Sequence, residues 1–183
     1  TRTEEVGIKT YPNYWDSTLA NTIVKECGKQ DLIYSANTIS HVHNLRDTLL
    51  AAKNTLKDDG VFVIECPSLL GVLKNHAFDM FYHEHQSYFS CIALKNILES
   101  IGLRLFDIEK LPVHSGSYLY YICKEEAFAS KHKYEKGLQN LISVINEEKE
   151  FGVDNYEKLK ERMTSINSNI RILKVLLKAL KGK

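Results

Sequence analysis

Residues 82–90 read Tyr-His-Glu-His-Gln-Ser-Tyr-Phe-Ser, gathering two imidazoles, a carboxylate and two phenols in one short run. The run is too polar for a buried strand. It also lacks the three-and-four spacing of apolar residues that marks an amphipathic helix. Proton transfer near neutrality needs a group that titrates there, and His is the side chain whose unperturbed pKa lies in that range. One residue of this run is therefore expected to be a general base.

Other polar residues fall where apolar runs end. Asn37-Thr38-Ile39-Ser40-His41 follows the strand-like run Asp31–Ala36, and Glu65-Cys66-Pro67 closes the run that starts at Val61. Open parallel sheets bind ligands beyond the carboxyl ends of their strands. That rule puts Asn37, His41 and the 82–90 run in one crevice. Taken singly, Asn37 equally fits a turn or cap, and His41 an ordinary surface position. The segment 112–117, with His114, is either a second approach to the crevice or a plain hairpin turn. Most of the seven histidines lie between residues 41 and 114. His83 and His85 would share a face on a strand, but no HExxH or third spaced ligand completes a metal site, and none is expected.

These residues need a scaffold, and the apolar patterning supplies one. Strands are expected at Val6–Tyr11, Asp31–Ala36, Val61–Glu65, Leu103–Ile108 and Tyr118–Cys123. Between them lie helical stretches. Asp16 caps one that carries Leu19, Ile23 and Val24 and stops at Gly28. Leu45–Leu56 and Cys91–Ile101 are the others, the last ending at Gly102. This alternation predicts an α/β fold with a mostly parallel sheet covered on both faces. The brief 112–117 connection makes the last two strands an antiparallel hairpin. After Lys124 the composition turns to Lys, Glu, Leu and Ile. Helices are expected at 131–150 and 154–181, with a break near Phe151-Gly152-Val153. Ile166, Ile170, Leu173, Leu177 and Leu180 mark an apolar face for packing or linkage. The organisation expected is a core over 1–125 and a helical segment over 126–183.

Twenty-four basic against 23 acidic residues argue against nucleic acid or a membrane surface as partner. No apolar run is long enough to span a bilayer. The first residues do not form a signal peptide. Four scattered cysteines without a CxxC pair read as reduced thiols in a cytoplasmic protein. The abrupt opening and the helix that runs to the last residue read as cuts in a longer chain.

The motifs FDMFYHEHQSYFS (78–90), LFDIEKLPVHSGS (105–117), ANTISHV (36–42) and LKDDGVFVIECP (56–67) closely resemble the sugar C-methyltransferases. These are S-adenosylmethionine-dependent enzymes that methylate a carbon of nucleotide-linked deoxysugars. The resemblance covers roughly residues 6–181. It implies a Rossmann-like class I methyltransferase core, of which this chain carries the later half, and helices leading to a further C-terminal domain. By the resemblance, the family's zinc belongs to an amino-terminal domain outside this chain, and the glycine-rich loop that holds the cofactor is expected in the part of the core upstream of Thr1.

By that resemblance His85 is the base that removes the proton next to a keto group. Tyr82 and Glu84 line the pocket and orient it, and His41 faces the same pocket, stabilising the enolate. Asn13 and Tyr14 lie where relatives hold adenine, and Asn37 lies near the methionine part of the cofactor. At the hairpin this chain reads HSGS followed by Tyr118 and Leu119, where relatives commonly have HGGS-Leu-Arg. The substrate implied is a small nucleotide-linked sugar. An O- or N-methyltransferase of the same fold and a non-catalytic binding or scaffold module are the competing readings.

Overall fold

The computed structural model describes residues 2–129 and 134–181. A four-stranded sheet in the order β1-β2-β4-β3 forms its centre. The strands are β1 (Gln30–Ala36), β2 (Leu56–Pro67), β3 (Leu103–Leu111) and β4 (Ser117–Lys124). β1 pairs parallel to β2, and β4 pairs antiparallel to both β2 and β3. Three strands therefore run one way, and only the hairpin's return strand is reversed. The sheet is mixed and mostly co-directional, as its sequence pattern predicts.

The helices begin where side chains can satisfy their free N–H groups. Asp16 caps α2 (Ser17–Cys27) by accepting from the Leu19 N–H at 2.8 Å; a single turn, α1 (Arg2–Glu5), precedes it. Asn44 caps α3 (Leu45–Thr55), Ser68 caps α4 (Leu69–Lys74) and Ser90 caps α5 (Cys91–Glu99). Phe62, Ile64, Tyr118, Tyr120 and Ile122 project from one face of the sheet. They form a single core with Leu49 and Ala52 of α3 and with Leu94 and Leu98 of α5.

A short α6 (Glu125–Phe128) leads on to α7 (Glu135–Phe151), which packs on β3 and α5 and adds Leu141 and Val144 to the same core. Gly152, at φ 85°, ends α7 in the left-handed conformation where the break was expected. α8 (Tyr156–Lys181) follows. No helix among the described residues is long and apolar enough to cross a membrane.

Two expectations are corrected. Val6–Tyr11 is not a strand: the turn of α1 ends at Gly7, φ 78°, and residues 8–16 run without regular structure. Among the described residues the sheet is not covered on both faces at its β1 edge, because Leu32 and Tyr34, two apart on one face, are 61% and 55% exposed. On α8, the expected apolar face leaves Leu173, Leu177 and Leu180 exposed among the described residues. Residues 131–133 of the first expected C-terminal helix, and the side chain of Ile166, lie outside the described residues.

Candidate active site

Beyond the C-terminal end of β1 opens a cleft of about 750 Å³, a size suited to a cofactor or a small substrate. Its walls come from three places. Tyr14, Trp15 and Asp16 precede α2; Thr38, His41 and His43 follow β1; and His83, Glu84 and Gln86 come from the 82–90 run. The first wall is pinned to α3, since the Trp15 indole donates to the Thr48 carbonyl at 3.1 Å. Asp47 completes the join by accepting from the Ser17 N–H at 3.1 Å and from its hydroxyl. These bonds hold the Asp47 carboxyl below the usual carboxylate range.

The 82–90 run is a loop stitched to the rest of the site by backbone bonds. The N–H groups of Gln86 and Ser87 both donate to the Ser40 carbonyl, at 2.7 and 3.2 Å. Ser40 lies in the helical turn Ile39–His41, so the loop's fold sets the distance between the two candidate imidazoles. The rings of His41 and His85 meet edge to face, with centroids 4.8 Å apart. Nε2 of His85 lies 2.9 Å from the Tyr82 hydroxyl, and Nδ1 lies 3.0 Å from the Met80 carbonyl. A carbonyl can only accept, so Nδ1 carries a proton, and in the neutral ring the lone pair falls on Nε2. The same carbonyl accepts from the Tyr88 hydroxyl at 3.2 Å. The two contacts orient the ring, with Nε2 toward the Tyr82 hydroxyl.

Tyr82, His85 and His41 are thus brought together, although Tyr82, which is exposed, and His85 do not line the cleft themselves. Glu84 reaches the cleft wall, but its carboxylate lies 3.9 Å from the exposed His83 ring rather than against His85. Asn13 is not in this cleft. It lines a smaller neighbouring cavity of about 320 Å³, which Tyr14 shares. Tyr14 is 96% exposed and presents its ring at the junction of the two.

Asn37 ends β1 in the left-handed region, at φ 52°, a conformation that Asn tolerates better than most residues. Its N–H donates to the Glu65 carbonyl at 2.8 Å, and its amide nitrogen donates to a Glu65 carboxylate oxygen at 3.2 Å. The other carboxylate oxygen accepts from the Tyr34 hydroxyl, whose pKa is raised by that bond. With the amide nitrogen engaged, Oδ1 of Asn37 is buried and has no donor. A buried acceptor left open beside Thr38 of the cleft wall is a place for a ligand's donor.

Trp15, Ser40, Met80 and Tyr88 were not singled out from the sequence. Trp15 left one signal, as the single tryptophan of the chain and set in a polar stretch. Ser40 and Met80 act through backbone carbonyls, which residue type does not reveal.

The methyltransferase domain family matches residues 8–108. The C-methyltransferase NovU of Streptomyces niveus is 34% identical over 115 residues, 63% of this chain and 27% of that protein. The chain thus spans about a quarter of that relative's length. Among solved structures, the mitomycin 7-O-methyltransferase MmcR aligns with a TM-score of 0.48 and 11% identity, over 67% of this chain and 37% of that one. An O-methyltransferase family protein from Burkholderia thailandensis aligns with a TM-score of 0.47 and 11% identity, over 67% and 38%. The family match takes in more than half of the 183 residues, and the chain belongs to the methyltransferase domain family, with the mixed sheet of a Rossmann-like class I methyltransferase.

Proposed function

We propose that the chain supplies the base-bearing half of an S-adenosylmethionine-dependent C-methyltransferase acting next to a keto group of a nucleotide-linked deoxysugar. The observation that carries this reading is the pairing of His41 and His85, edge to face at 4.8 Å, with the His85 ring oriented by the Met80 carbonyl. An O- or N-methyl acceptor already has a lone pair to offer. A carbon acceptor must first lose a proton, which is the task an oriented imidazole performs.

The proposed step begins when a substrate C–H displaces the Tyr82 hydroxyl from Nε2 of His85. Nε2 takes the proton, the electron pair moves into the new C=C bond, and the carbonyl π electrons move onto oxygen. His41, at the cleft wall, stabilises that negative charge. S-adenosylmethionine, when bound, provides the electrophilic methyl group that the enolate carbon acquires. The open Oδ1 of Asn37 fits the ammonium of its methionine part. The exposed Tyr14 ring fits a stacked adenine, with Asn13 in the adjoining cavity.

The test is His85→Ala in the full-length protein. The expected result is a loss of methyl transfer of about 10²–10⁴-fold, with cofactor binding by calorimetry unchanged. Loss of deuterium from the substrate carbon should fall in parallel. Near-normal turnover, or methylation without loss of that deuterium, would overturn the reading.

A further inference from the structure

Glu148 is 0% exposed, on a helix that lies beyond the family-matched residues. Its carboxylate faces the start of α5. One oxygen accepts from the Cys91 N–H at 2.7 Å and the other from the Ile92 N–H at 3.0 Å. Ser90 already caps this helix, its hydroxyl accepting from the Ala93 N–H at 3.1 Å. The carboxylate therefore does more than satisfy a frayed end: it fixes where the chain leaves the 82–90 loop.

The connection runs back from there without a gap. Phe89 is held to the start of α4, its carbonyl accepting from the Leu69 N–H at 2.8 Å. Tyr88, the next residue back, donates its hydroxyl to Met80. That carbonyl is the one that orients His85. Three residues thus separate the Glu148 seat from the group that sets the direction of the ring.

We propose that Glu148 is a positioning residue for His85, acting through the first turn of α5 and Tyr88. The role in turnover rests on the C-methyltransferase reading; the structural coupling does not. A carboxylate is suited to the task because both its oxygens accept, matching two N–H groups at the positive end of a helix. An amide in its place presents one acceptor and one donor, so one of the two N–H groups loses its partner.

The experiment compares Glu148→Gln and Tyr88→Phe with the unaltered full-length protein. Amide hydrogen exchange is the first readout. Glu148→Gln is expected to speed exchange at Cys91, Ile92 and the loop residues 82–90 by about 10-fold, a loss comparable to one hydrogen bond. Exchange at Ile64 and Tyr120 in the sheet should stay unchanged. Equal acceleration at loop and sheet would mean a merely structural role and would overturn the proposal.

The second readout is turnover. Both variants should lower kcat by about 10-fold or more while KM moves little, because misplacement of a base by a fraction of an ångström acts on the chemical step. An unchanged kcat in a protein whose His85→Ala form is inactive would sink the positioning role and leave the reaction standing. An active His85→Ala form would sink the reaction and leave the exchange result to judge the coupling. Tyr88→Phe removes one hydroxyl without touching the α5 start, so its loop should loosen with Cys91 and Ile92 still protected. Protection lost there would contradict the direction of the connection.

Discussion

The Met80 carbonyl lies 3.0 Å from Nδ1 of His85, and this contact decides which nitrogen of the ring is basic. With the proton held on Nδ1, the lone pair of Nε2 points to the Tyr82 hydroxyl, 2.9 Å away. The arrangement predicts a single dominant neutral tautomer. Long-range proton–nitrogen correlation spectra of ring-labelled protein should show His85 protonated at Nδ1. The reverse tautomer, or an even mixture, would mean that the carbonyl does not orient the ring.

Asn37 combines a backbone demand with a ligand demand, and substitutions can separate them. At φ 52° an Ala pays about 1–2 kcal/mol for the left-handed conformation, whereas Gly adopts it freely. Asn37→Gly should therefore retain stability near that of the parent, and Asn37→Ala should melt lower. Both remove the open Oδ1 acceptor. Both should then weaken S-adenosylmethionine binding to a similar extent, about 10–100-fold, the loss of one hydrogen bond to a charged group. Calorimetry that finds binding tracking stability, rather than loss of the amide, would remove Asn37 from the cofactor site.

Much of this site was legible from residue type and position. The strand-end rule located Asn37, His41 and the 82–90 loop, because a parallel pair such as β1 and β2 must end its strands on the same edge. Asp16 and the Gly28 and Gly152 helix stops were legible for a similar reason: capping chemistry is local. The Val6–Tyr11 run misled because alternation over six residues is compatible with an extended loop, and Gly7 breaks it at a positive φ. Coverage of the sheet could not be read from β1 itself, since Leu32 and Tyr34 have the same apolar pattern whether or not anything packs on them. Glu148 was invisible for the opposite reason. Along a Lys- and Glu-rich helix, a buried carboxylate looks like its solvated neighbours, and only tertiary contact with α5 distinguishes it.

Glu147 and Glu148 are adjacent yet titrate in opposite directions, and this predicts two separable pH effects. Salt links to Lys110 and Lys74 hold the Glu147 carboxyl below its ordinary value of 4.5. The unfolded chain then binds the proton more tightly, so the Glu147 contribution is present above that value and fades as pH falls through the folded pKa. Burial pushes Glu148 the other way, above 4.5, with the two N–H groups of α5 recovering part of the shift. Here the native state holds the proton more tightly. Stability is therefore lost as pH rises from 4.5 through the raised pKa, and is flat above it. Urea midpoints measured across this range should show Glu148→Gln abolishing the decline on the alkaline side of 4.5. Glu147→Gln should flatten the decline on the acid side. Identical profiles for the two variants would contradict the opposite environments assigned to them.

Gly137 tests how tightly α7, and with it Glu148, is held to the sheet. A Cβ at this position would lie 2.6 Å from the Phe106 carbonyl oxygen and 2.6 Å from Cβ of Asp107, both on β3. Two effects of Gly137→Ala oppose each other. Helix propensity favours Ala by at most about 1 kcal/mol, and less in a first turn. Overpacking against a backbone oxygen costs about 1–3 kcal/mol, and neither β3 nor its carbonyl can rotate away as a flexible side chain would. The clash should win, lowering the melting temperature by about 2–4 °C for each kcal/mol in a chain of this size. Because α7 must then lift from β3, amide exchange at Cys91 and Ile92 should rise in the same variant. A variant that melts at or above the parent temperature would mean that α7 slides without loss, and that Glu148 is held by α5 alone.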